Sequence, residues 1–151
     1  MTHGYSNIYL DSSQNTLGQA FDWVANTCQD DLTVFAGRFA KSDVSTVFAK
    51  GGIRYITGMN GAELANEVMQ SLGFQEYKEP YEFWADKSPE YWTGWVLAYY
   101  QWYKNIPFSE ILKFASIEKL LKLYPKGHEQ DIRNIVDIMD EWYEVFQDEN
   151  K

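Results

Sequence analysis

Sixteen residues in the middle of the chain, Ser88-Pro89-Glu90-Tyr91-Trp92-Thr93-Gly94-Trp95-Val96-Leu97-Ala98-Tyr99-Tyr100-Gln101-Trp102-Tyr103, leave the remainder few choices. Ser88 can cap free backbone N–H groups, and Pro89 suits the first helical position, where a missing N–H is harmless. Glu90 then places a negative charge in the first turn, as the helix dipole favours. Trp92, Trp95, Val96, Tyr99, Trp102 and Tyr103 recur at three- and four-residue spacing, which predicts a helix over Pro89–Lys104 with these residues as its apolar stripe. Tyr91, Leu97, Ala98 and Tyr100 fall on the other faces. A helix apolar almost all round has to be enclosed by neighbours. Gly94, bare among large rings, marks a place where another backbone crosses closely.

The rest of the chain has the means to enclose it. At 151 residues it fits one domain, able to bury about two thirds of the surface its unfolded form exposes. Hydrophobic residues make up 45% and aromatics 17%, which argues for a dense core and against disorder. The net charge of −9 disfavours binding along a phosphate backbone. Cys28 is alone, so neither an internal disulfide nor a four-thiolate zinc site is open to the chain. No segment reads as a targeting or membrane element, and the expectation is a soluble, cytoplasmic protein.

Caps and stripes predict an all-α domain of about six to eight helices around Pro89–Lys104. Residues 1–11 read as a loosely ordered lead-in. Leu17, Ala20, Phe21, Val24, Ala25 and Cys28 give a helix over residues 14–28, with Cys28 as a small buried hydrophobe. Asp31 can cap a helix carrying Leu32, Phe35, Ala36 and Phe39, and a short segment with Val44, Val47 and Phe48 ends at Gly51-Gly52. The alternating, β-branched run Ile53-Arg54-Tyr55-Ile56-Thr57 predicts a short extended segment with no evident partner. Asn60 and Glu63 form a capping box, and Gly73 ends that helix in the left-handed region. Tyr77, Tyr81, Phe83 and Trp84 are too many rings to leave in water, so the loop carrying them should lie against the body. Ser109 and Ser116 read as caps of two short helices. A last helix over residues 129–147 has the stripe Ile132, Ile135, Val136, Met139, Trp142, Tyr143 and Phe146.

The search for chemistry mostly excludes. His128-Glu129-Gln130-Asp131-Ile132 opens like a zinc-protease motif, but Ile132 stands where the second histidine is needed. No P-loop, dinucleotide fingerprint or nucleophile elbow is present. The carboxylate pairs Glu63/Glu67, Asp137/Glu141 and Asp140/Glu144 lie one turn apart, which read as solvated acidic faces. No catalytic residue, metal ligand or cofactor is therefore assigned. Two further readings stay open: a small enzyme using carboxylates and His128, and a repressor-like DNA-binding protein whose Asp31-to-Leu72 helices present Arg38, Lys41, Lys50 and Arg54.

Leu17-Gly18-Gln19-Ala20-Phe21-Asp22, Gly58-Met59-Asn60-Gly61-Ala62-Glu63-Leu64, the central aromatic block, and Leu123-Tyr124-Pro125 followed by His128-Glu129 together resemble an uncharacterised family of small acidic proteins from low-GC Gram-positive bacteria. The resemblance runs over residues 10–139, is most specific in the aromatic block, and lapses between Arg38 and Arg54. It implies an antitoxin-like or immunity role by association, since members accompany an ADP-ribosyltransferase-like toxin. It brings no catalytic residues. The residues themselves favour a non-catalytic protein-binding domain, with another protein or a second copy as partner. The expected surface is the second apolar strip of the last helix, Ile138, Trp142 and Val145 with Glu141 beside them, rimmed by acids.

Overall fold

Each well-capped helix forms where its cap stands. The computed structural model describes residues 2–82 and 86–151, and among these the chain is one compact domain of nine α-helices with no strand. They are α1 (Leu10–Asp22), α2 (Leu32–Lys41), α3 (Asp43–Ala49), α4 (Ile53–Ile56), α5 (Gly61–Ser71), α6 (Pro89–Lys104), α7 (Phe108–Ile111), α8 (Ile117–Gly127) and α9 (Ile132–Glu149). Asp31, Ser42, Asn60, Ser88, Ser116 and Asp131 each accept backbone N–H bonds at a helix start. Both halves of the Asn60–Glu63 capping box are present. Gly73 has φ +79°, and Phe74 N–H reaches Met69 O at 2.9 Å, closing the helix end as the glycine predicts.

Glycines set how closely the layers approach. α1 lies along α6, and a Cβ on Gly94 would stand 2.6 Å from Leu17 O. Where α5 crosses α1, a Cβ on Gly61 would be 2.3 Å from Ala20 N. Around this α1–α5–α6 centre Leu17, Phe21, Leu64, Val68, Leu97 and Tyr100 are buried, and one continuous core joins them to Phe35, Phe39, Phe48 and Phe108. α1 ends in a π-helical turn (Trp23–Thr27), where the buried Trp23 donates its indole N–H to Pro80 O at 2.7 Å. That bond, the two-way pairing of the Asn66 amide with the Tyr77 backbone, and the edge-on packing of Tyr77 and Tyr81 against Trp23 hold the loop after α5 to the body. Phe83 and Trp84, expected to take part, lie outside the described residues.

Several expectations need correction. Residues 53–57 are not extended, since Ile53–Ile56 is a single helical turn stacked after α3. Its Ile56 is buried, and its carbonyl receives the Thr16 hydroxyl at 2.9 Å, so tertiary packing overrides the β-branched pattern. Residues 2–11 are tied down rather than loose. His3 stacks on Trp102, Gly4 N–H bonds Trp102 O, Tyr5 OH donates to Ser13 Oγ, and α1 starts at Leu10. α7 begins at Phe108 after Pro107, so Ser109 is not its cap. Pro125 and Gly127 read as chain breaks, yet α8 continues through Pro125 to Gly127, and α9 starts at Ile132 rather than at residue 129. On α6 the seam left half-buried is Trp95, Tyr99 and Tyr103, all in the expected stripe, while Tyr91, Leu97, Ala98 and Tyr100 on the other faces are buried.

Candidate functional site

α9 is sealed into the core through its first half, while in its second half Tyr143 and Phe146 meet the Phe114 ring at 5.1 and 6.4 Å without being enclosed. Ile135, Val136 and Met139 are buried, whereas no residue of the helix beyond Met139 is. That second half still carries Trp142, Tyr143, Val145 and Phe146. Val145 is 56% exposed and Tyr143 40%. Ile138 and Trp142 are half-buried against the core, with the Lys119 ammonium 5.3 Å from the centre of the Trp142 ring, and Glu141 is exposed. Ile138, Glu141, Trp142 and Val145 thus share one strip of the helix at i, i+3, i+4 and i+7, graded from half-buried to open. Six acids, Asp137, Asp140, Glu141, Glu144, Asp148 and Glu149, stand on the helix against Arg133 alone. Asp140 is occupied: Tyr100 OH donates to it at 2.6 Å and Lys104 Nζ lies at 3.2 Å, which pins the middle of α9 to α6. Burial, then the bond to Asp140, holds the Tyr100 hydroxyl well above the usual phenol range.

The pair Glu63/Glu67 is engaged locally. Glu63 completes the capping box, and Glu67 meets Arg54 at 2.7 Å. Among the described residues no three His, Cys, Asp or Glu side chains come together to hold a metal ion. Cys28 is half-buried, and desolvation, followed by the nearby Glu79, pushes its thiol up to about 12, so it stays a thiol. Of the four basic residues of the repressor-like reading, two are committed, with Arg38 3.9 Å over the Phe74 ring and Arg54 on Glu67, while Lys41 and Lys50 are exposed. The open face of α5 presents Glu63, Glu67 and Gln70, the wrong sign for a phosphate backbone.

His128 sits at a feature that sequence reasoning missed. It lines a cavity of about 330 Å³ between α6 and the turn from α8 to α9, with Lys87, Trp92, Trp95, Tyr124 and Ile132. Its Nδ1 lies 2.7 Å from Tyr124 O, and a carbonyl only accepts, so Nδ1 carries the proton and Nε2 is left free. The imidazole stacks on Tyr124 with centroids 4.3 Å apart, and Tyr124 meets Trp92 edge-on at 5.7 Å. Lys87 Nζ donates to Tyr91 OH at 3.2 Å, and Tyr91 OH in turn donates to Asn15 Oδ1. Two signals of this cavity were present in the chain: Trp92 and Trp95 on one helix, and Tyr124 four residues before His128. Their meeting depends on how α8 returns to α6.

Among the described residues, no helix is long and apolar enough to cross a membrane. Comparison with protein-family models, with curated proteins and with solved structures finds no match to this chain.

Proposed function

We propose that the chain is a non-catalytic protein-binding domain that captures a basic protein partner along the outer half of α9. One observation carries the reading: Trp142, Tyr143, Val145 and Phe146 follow one another within two turns, and none is fully buried. Four large apolar residues so placed amid acids make an apolar strip with a charged rim, the composition of a docking surface. The acids select a partner rich in Lys and Arg, and the net charge of −9 steers it in. The resemblance to the small acidic family supports a neutralising role toward a toxin as the particular form of this binding.

The test uses the tagged full chain and the products of neighbouring genes, co-expressed with it. Trp142→Ala is expected to weaken the complex by about 2 kcal/mol or more, as for a central aromatic anchor. Val145→Asp, at an open position, is expected to abolish the complex while leaving helicity and melting temperature unchanged. Ile138→Asp combined with Val145→Asp asks the same question where the strip nears the core. Sedimentation of the chain alone separates a second copy from a foreign partner. A folded Val145→Asp chain that binds its partner with undiminished affinity would move the site elsewhere and overturn the reading.

A further inference from the structure

The cavity beside His128 is separate from the strip on α9, and its chemistry is more specific. We propose that it binds a small planar aromatic carboxylate. At about 330 Å³ it has the size of a small-ligand pocket and room for one or two fused rings. Trp92, Trp95 and Tyr124 supply flat faces and Ile132 an aliphatic one, which favours a planar guest over a bulky one. The polar lining is mixed: the free His128 Nε2 and the Gln130 amide oxygen can accept, while Lys87 and two indoles donate. Trp92 is 8% exposed and lines the cavity, and its indole N–H has no partner among the described residues. The Trp95 indole N–H is likewise unpartnered among them, whereas Trp23 and Trp102 give theirs to backbone carbonyls. Indole N–H groups and ammonium groups donate and never accept, so a matching guest must bring acceptors. Lys87 adds the charge, and no carboxylate among the described residues pairs with it. An anionic group on a flat ring gives Lys87 a charge partner and offers acceptors to indole N–H groups, while the ring itself matches the aromatic walls. His128, with Nδ1–H spent on Tyr124 O and its ring stacked, forms a fixed wall rather than a mobile one.

The experiment titrates the full chain with 1-naphthoate and follows the indole N–H resonances of Trp92 and Trp95. Two comparison probes are 1-naphthalenemethanol, flat but neutral, and cyclohexanecarboxylate, anionic but not flat. Naphthoate is expected to saturate a single site and shift both indole signals, with each comparison probe about tenfold weaker or more. Lys87→Met, at an exposed position, should weaken naphthoate about tenfold and leave naphthalenemethanol unchanged. Absence of any indole shift at millimolar naphthoate overturns the proposal. So does equal binding of cyclohexanecarboxylate, or a folded Lys87→Met chain that binds naphthoate as before. The comparison of probes on the unaltered chain stands even where the variant does not fold. None of these results depends on a partner at α9.

Discussion

At the scale of single residues, two positions make the fold testable. Gly94 lets α6 touch the backbone of α1, and neither main chain can retreat without moving its helix. Gly94→Ala should therefore destabilise the protein by about 3 kcal/mol, measured by urea unfolding, despite the better helix propensity of alanine. Tyr5 is the second. Burial pushes its hydroxyl up to about 12, partly offset by the bond to Ser13. The neutral form is the one the fold prefers. Its contribution is thus complete below about pH 10, the unfolded value, and is lost as pH rises through the folded value. The N-terminal segment should then come away between those limits. Trp102 reports this, because its indole N–H donates to Tyr5 O at 2.8 Å, so its fluorescence should change there and not in Tyr5→Phe. Gly94 was legible from the chain, as an empty position among rings. Tyr5 was not, because its partners Ser13 and Trp102 only meet it once α1 and α6 lie side by side.

Among elements, those with chemical punctuation read best. Asn60 with Glu63, Asp31, Ser88 before Pro89, and Ser116 each combine a cap with a periodic stripe, and α5, α2, α6 and α8 begin where they stand. Asn60→Ala should lower stability by about 1 kcal/mol, seen as a lower urea midpoint at unchanged slope. The one-turn helix α4 was illegible, because four residues are too few to show a period of 3.6, and α7 was expected as a short helix but with its start misplaced at Ser109. Their shape is imposed by what surrounds them. The face of α6 was misjudged for a related reason. A helix buried nearly all round carries little amphipathic contrast, and the half-open seam of Trp95, Tyr99 and Tyr103 is set by where α1 and α8 happen to pass. The strip on α9 was legible as apolar, but its grading from half-buried to open follows from where the core ends.

Over the whole molecule, charge and core have separate tasks. The core is continuous and aromatic, while acids gather at the C-terminal end, where residues 127–151 hold eight acidic and two basic side chains. Raising salt from low ionic strength to about 0.5 M should slow association with a basic partner by tenfold or more in stopped-flow measurements while changing dissociation little. The all-α class followed from caps and stripes together, whereas the cavity beside His128 needed the whole arrangement, since it lies between segments some thirty residues apart in the chain. The close seating of α1 on α6 also dictates timing. Leu17 meets Gly94 from about half the chain away, so the growing polypeptide carries α1 without its partner until residue 104 has left the ribosome. The aromatic block is thus both the centre of the finished protein and the piece for which α1 has to wait, a long-range closure of the kind that slows folding.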